Sequence, residues 1–232
     1  MSKFHAKSTA YEVIDGHDLT GYEVIVTGGS SGIGIETARA FAKAGARVVI
    51  GARDLKKAED VAQDIRQSTG NNQVEVMKLE LDSLASVNDF VQKYLATGRH
   101  LNILVNNAGI MACPLTYTVD GFESQFGTNH MGHFALTLGL ISALKEGKRK
   151  VGKNSRVVSL TSVAHFRSDI RFDDINFKSG DYDPWVSYGQ SKTANCLFAV
   201  AITKLYSSDG VFSNAVMPGK ILINYVFLPW CF

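Results

Sequence analysis

The chain is short of the residues that mark secreted scaffolds and membrane proteins. Three cysteines in 232 residues, Cys113, Cys196 and Cys231, are odd in number and widely spaced. No CxxC pair suggests zinc, and no spacing suggests a disulfide framework. No N-x-S/T glycosylation acceptor occurs. The opening stretch, MSKFHAKSTAYEVIDGHDLTG, holds no apolar run long enough for a signal peptide or a membrane anchor. Together these absences predict a reducing, cytoplasmic setting and no transmembrane segment.

Charge of one sign is lacking too. Lys plus Arg exceeds Asp plus Glu by only 24 − 22 = +2, which argues against nucleic acid as a partner. The richest basic stretch, KEGKRKVGKNSR from Lys145 to Arg156, is short, carries no interleaved aromatics and reads as a solvated connection. Prolines number four, and there is no Pro/Ser linker, internal repeat or shift in composition. The expectation is one domain with a substantial core over residues 1–223, followed by an atypical hydrophobic tail at 224–232.

What is present is alternation. β-Branched runs such as YEVIVTGG, ARVVIGA, QVEVMKLEL, LNILVNNAG, SRVVSLTS and VFSNAVMP are separated by amphipathic stretches such as GIETARAFAKAG and LKKAEDVAQDIRQS. A long helix is predicted from about Gly121 to Leu144, and another beginning near Ser187. Strands alternating with helices of this length predict an α/β, Rossmann-type, doubly wound parallel sheet. Near-continuous apolar strands are expected where helices cover both faces.

The first strand runs into TGGSSGIG, Thr27 to Gly34. Glycines at Gly28, Gly32 and Gly34, with Ser30, Ser31 and Ile33 between them, stand where a strand gives way to a helix. There, main-chain N–H groups and the helix dipole can hold a pyrophosphate. At the end of the second strand a carboxylate would favour NAD(H), whereas a cation accommodates the 2′-phosphate of NADP(H). The sequence has Ala52 and then Arg53, with Lys56 and Lys57 close behind. That favours NADP(H); Asp54 is the rival ribose ligand and keeps NAD(H) as the alternative.

The segment SYGQSK puts Tyr188 and Lys192 four residues apart, on one helical face. A free tyrosine titrates near pH 10, and a neighbouring ammonium lowers that value towards the range useful for proton transfer. Ser162 ends a strand at the carboxyl edge, where it could hold a carbonyl oxygen; Ser159 and Thr161 are rival hydroxyls. Asn129, inside a predicted helix, is a poor helix-interior residue that calls for a surface or functional explanation. His130 and His133 lie three apart, but no third ligand presents itself, so no metal is expected. Trp185 and Phe166 are expected to line or flank a pocket.

The order T-G-x-x-x-G-x-G, NNAG, helical Asn, strand-end Ser, Y-x-x-x-K and a late PG resembles the short-chain dehydrogenase/reductase family over roughly residues 8 to 223. The stretches STAYEVIDGHDLTG and TNHMGHFALT look like its retinol dehydrogenase and WW-domain oxidoreductase branch. The resemblance implies that Tyr188 is the acid or base and that Lys192 lowers its pKa and binds the nicotinamide ribose. It further implies that Ser162 orients the carbonyl and that Asn129 holds a relay water. The glycine loop would line the phosphates, with Asp82 near the adenine and Asn107 near the adenosine ribose. The substrate would be a small apolar carbonyl or alcohol such as a retinoid, steroid or other lipid, and a homodimer would form through the helix bearing Tyr188.

Measured against that family pattern, PGKILI puts Ile223 where a threonine is expected, and only NYVFLPWCF follows. The expectation is a chain cut short after Gly219 or Lys220, with six strands and the seventh missing. A second function class follows: a catalytically weak nucleotide-binding protein that acts through a partner.

Overall fold

A strand whose every residue is buried must be covered on both faces, and Glu23–Thr27 is such a strand. A computed structural model describes residues 4–5 and 7–219 of the chain. Its strands are β1 (Glu23–Thr27), β2 (Arg47–Ala52), β3 (Val74–Lys78), β4 (Ile103–Asn106), β5 (Ser155–Leu160) and β6 (Val211–Val216). All pair in parallel, in the order β3-β2-β1-β4-β5-β6. The order reverses between β1 and β4, so a crevice opens beyond their carboxyl ends, Thr27 and Asn106. The tail at 224–232, Ile223 and the proposed break at Lys220 lie outside the described residues.

The twofold alternation of β1 builds two cores. Val24 and Val26 join Ala38, Val48, Ile50, Ala58 and Ile65 on one face of the sheet. Ile25 joins Phe90, Tyr94, Leu104, Leu136, Leu144, Phe198 and Ile202 on the other. The first face is covered by α2 (Ile33–Lys43) and α3 (Leu55–Thr69), which follow a short α1 (Ala10–Ile14). That first helix, not foreseen from the sequence, is closed by a Thr9/Glu12 capping box. The second face is covered by α4 (Leu84–Ala96) and the helices that follow it.

The long helix expected over 121–144 is real but segmented. It starts as α5 (Ser124–Phe126), passes through a π turn (Gly127–Met131), and continues as α6 (Gly132–Gly139) and α7 (Ile141–Val151). Its start is fixed by the Glu123 carboxylate, which accepts from the N–H groups of Gln125 (2.9 Å) and Phe126 (2.8 Å). The last helix, α8 (Pro184–Tyr206), begins before Ser187 because Asp183 accepts from the N–H groups of Trp185 and Val186 while Pro184 occupies the first turn.

Cys196 carries a free thiol. Cys113 is disulfide-bonded, although no cysteine spacing in the sequence suggests a disulfide framework. Among the described residues, no helix is long and apolar enough to cross a membrane.

Candidate active site

Beyond β1 the chain turns through Gly28, whose φ is +66°. A Cβ on Gly34 would lie 2.5 Å from the Gly28 carbonyl oxygen and 2.7 Å from Asn107 Nδ2. Glycine is required there because the NNAG turn packs directly on the loop. Gly32 caps α2 without any side-chain hydrogen bond, which leaves the helix start able to receive an anion. Ser30 and Ile33 are half-buried beside it, and Ser31 and Gly32 are exposed. The cradle suits a pyrophosphate.

The turn after β4 is held to this loop by Thr27. Its Oγ1 accepts from the N–H groups of Asn107 (2.9 Å) and Ala108 (3.0 Å), and Asn107 Nδ2 donates to the Thr27 carbonyl at 2.8 Å. One side of the Asn107 amide is therefore committed to the fold. Thr27 Oγ1 also lies 2.8 Å from His133 Nε2. The tautomer follows from the other ring nitrogen: Nδ1 faces the Asn129 carbonyl at 3.0 Å, which can only accept, so Nδ1 carries the proton. Nε2 then accepts from the Thr27 hydroxyl. Burial pushes the His133 pKa down to about 4, which keeps the ring neutral. The sequence presented His133 only as half of a weak metal pair; no cluster of metal ligands occurs among the described residues.

Asn129 sits fully buried in the π turn. Its Nδ2 donates to the Ile110 carbonyl (2.9 Å) and to Ser191 Oγ (3.0 Å), while its Oδ1 accepts from the Ile110 N–H (2.8 Å). Both amide hydrogens are spent, so a relay water would have to donate to one of the Asn129 oxygens. Ser191 Oγ in turn donates to the Tyr188 carbonyl at 2.7 Å.

On α8, the Lys192 ammonium lies 5.3 Å from the centroid of the Tyr188 ring. Lys192 is 5% exposed, and its Nζ donates to the Leu160 carbonyl at 3.1 Å. Among the described residues no carboxylate pairs with it. Burial therefore pulls its pKa down to about 8. The ring of Trp185 stands edge-on to Tyr188, with centroids 6.3 Å apart.

Ser162 is half-buried and opens the 3₁₀ turn Val163–Arg167; its Oγ accepts from the Ala164 N–H at 3.2 Å. That turn presses on α8 next to Tyr188, where a Cβ on Gly189 would lie 2.6 Å from the Ala164 carbonyl oxygen. The rival hydroxyls serve the interior. Ser159 accepts from Asn106 Nδ2, and Thr161 donates to the Lys192 carbonyl at 3.0 Å. The structure thus gathers Asn129, Ser162, Tyr188 and Lys192 at the carboxyl edge of the sheet, on the side where the glycine loop lies.

At the end of β2, Arg53 is exposed and its carbonyl accepts from Lys78 Nζ at 2.8 Å. Asp54, the rival ribose ligand, caps α3 by accepting from the Lys57 N–H at 3.0 Å. Asp82 is half-buried in the turn between β3 and α4. Phe166 is exposed in the 3₁₀ turn Val163–Arg167.

A family model described as short chain dehydrogenase matches residues 23–225. Mouse retinol dehydrogenase 12 is 45% identical over 204 residues, covering 88% of this chain; the chain spans 63% of that relative's length. The crystal structure of an uncharacterised protein from Mycobacterium paratuberculosis superposes with a TM-score of 0.78 at 39% identity, over 95% of this chain and 75% of that one. A Pseudomonas aeruginosa RhlG/NADP active-site complex superposes with a TM-score of 0.71 at 28% identity, over 88% of this chain and 74% of that one.

Proposed function

The chain belongs to the short-chain dehydrogenase family, and we propose that it is an NADP(H)-dependent oxidoreductase that interconverts apolar carbonyls and alcohols. The carrying observation is the Lys192 ammonium, buried, without a carboxylate partner among the described residues and 5.3 Å from the Tyr188 ring centroid. A cation so placed favours the phenolate over the phenol.

In this reading the nicotinamide, when bound, supplies or accepts the hydride. Tyr188 gives its phenolic proton to the carbonyl oxygen during reduction and takes the proton from the alcohol during oxidation. Lys192 lowers the cost of the phenolate and binds the nicotinamide ribose. Ser162, whose hydroxyl proton has no acceptor among the described residues, orients the carbonyl oxygen. Asn129 holds the relay water through one of its oxygens. Gly28, Ser30, Ser31, Gly32, Ile33 and Gly34 receive the pyrophosphate, with Asn107 beside the adenosine ribose and Asp82 near the adenine.

The preference for NADP(H) over NAD(H) rests on Arg53, which is exposed at the end of β2 while Asp54 is occupied in capping α3. The Pseudomonas neighbour named as an NADP complex supports it. Apolar substrates are supported by Val163 and Phe166, exposed in the turn after Ser162, by Trp185, exposed at the start of α8, and by the mouse relative's name. Self-association through α8 is supported by Leu197, Val200 and Leu205, exposed on one side of that helix.

A thermal-shift titration with NADPH and with NADH, followed by NADPH oxidation in the presence of retinaldehyde, tests the reading. A saturable rise in melting temperature, larger with NADPH, and aldehyde-dependent oxidation are expected. Absence of a response to either nucleotide contradicts it.

A further inference from the structure

The segment after β4 is fastened along its length by buried side chains. Thr27 takes Asn107 and Ala108, and Asn129 grips both the N–H and the carbonyl of Ile110. The next grip belongs to Gln125, which is fully buried. Its Oε1 accepts from the Ala112 N–H at 2.7 Å, and its Nε2 donates to the Pro184 carbonyl (2.9 Å) and to the Tyr182 hydroxyl (3.0 Å). Tyr182 donates in turn to the Cys113 carbonyl at 2.7 Å. Burial pushes the Tyr182 phenol up to about 12, so it remains a donor throughout the working range of pH.

Two side-chain amides therefore run as parallel rungs from this segment to α8. The Asn129 rung ends, through Ser191, on the carbonyl of Tyr188. The Gln125 rung ends on the carbonyl of Pro184, the acceptor that the Tyr188 N–H addresses in an α-helix. The Gln125 rung also holds Ala112, a non-glycine residue with φ of +52°. A residue in that region is retained only where its surroundings over-determine it.

We propose that Gln125 is a positioning residue for the reaction: together with Tyr182 it sets the spacing between the Ile110–Cys113 segment and the first turn of α8, and so the placement of Tyr188 against the carbonyl oxygen. This rests on the oxidoreductase reading above. Among the described residues the Gln125 side chain makes its hydrogen bonds to Ala112, Tyr182 and Pro184 and none to the phosphate loop, so its effect separates from nucleotide binding.

The test compares the parent protein with Gln125→Leu and the milder Tyr182→Phe. The measurements are NADPH affinity, kcat and KM for an apolar aldehyde, and amide hydrogen exchange across 184–192. Gln125→Leu is expected to lower kcat by about ten- to a hundredfold and to speed exchange in the first turn of α8. NADPH affinity and exchange in α2 stay within about twofold of the parent on the same grounds. Tyr182→Phe should shift the same quantities in the same direction by less.

Unchanged kcat in both variants overturns the proposal. So does a loss of kcat that only tracks a fall in NADPH affinity and a general rise in exchange, because that is plain destabilisation. Should Gln125→Leu fail to fold, Tyr182→Phe decides between these outcomes alone. A parent protein without turnover refutes the oxidoreductase reading, and this proposal with it; an active parent whose variants keep its kcat refutes the proposal alone.

Discussion

The Thr27 hydroxyl and the His133 imidazole meet at 2.8 Å although 106 residues separate them in the chain. This bond ties the end of β1 to the start of α6. The His133 ring also takes the Asn129 carbonyl, so the phosphate loop and the π turn are held by one neutral side chain. Each consequence of such buried polar groups can be measured.

His133 should make stability depend on acid. Burial holds its pKa at about 4 in the fold, against an ordinary value of 6.5. As pH falls below 6.5 the unfolded chain takes up a proton that the folded chain refuses, so stability is lost between pH 6.5 and 4. The full loss is on the order of 3 kcal/mol. His133→Gln, which stays neutral and can still donate and accept, should flatten that part of a urea-denaturation series run against pH. A slope identical to the parent's would show that His133 is not its source.

Lys192 should cost stability while serving the chemistry. Its pKa is lowered by burial to about 8 from 10.5. Below pH 8 it is charged in both folded and unfolded chains, and the full burial cost is present. The cost fades as pH rises from 8 to 10.5, where the unfolded chain holds more protons. Lys192→Met is therefore expected to raise stability at neutral pH by about 1–3 kcal/mol and to abolish turnover. The gain should shrink above pH 8, and calorimetry at several pH values reads it directly. A variant less stable than the parent at neutral pH would contradict the desolvation argument.

Arg53 should read the 2′-phosphate. Arg53→Ala is expected to weaken NADPH by about tenfold, the worth of one charge-assisted contact, while leaving NADH affinity nearly unchanged. Titrations of both nucleotides against parent and variant decide it. Equal losses for the two would move Arg53 from specificity to general support of the loop.

The sheet was legible because each strand is a short apolar run bounded by turn residues, and TGGSSGIG lies between the first strand and the first of the covering helices. Tyr188 and Lys192 were legible because helical periodicity alone puts them on one face. Other parts could not be read from local pattern. The π turn at Gly127–Met131 breaks the 3.6-residue period on which the long helix was predicted. Gln125 and His133 act through partners 59 and 106 residues away, and a glutamine or histidine on a helix carries no mark of such a partner. Asp54, the rival ribose ligand, also caps α3 by accepting from the Lys57 N–H. The signal was present there, since an Asp just before an apolar-periodic run is an N-cap pattern.

Whether Tyr188 moves the proton while the glycine loop holds the nucleotide is read from one comparison. Aldehyde-dependent NADPH oxidation and NADPH affinity are measured side by side for the parent and Tyr188→Phe. Turnover is expected to fall by about a hundredfold or more, with affinity within about twofold of the parent because Phe keeps the ring and removes only the hydroxyl. Turnover equal to the parent's would contradict it.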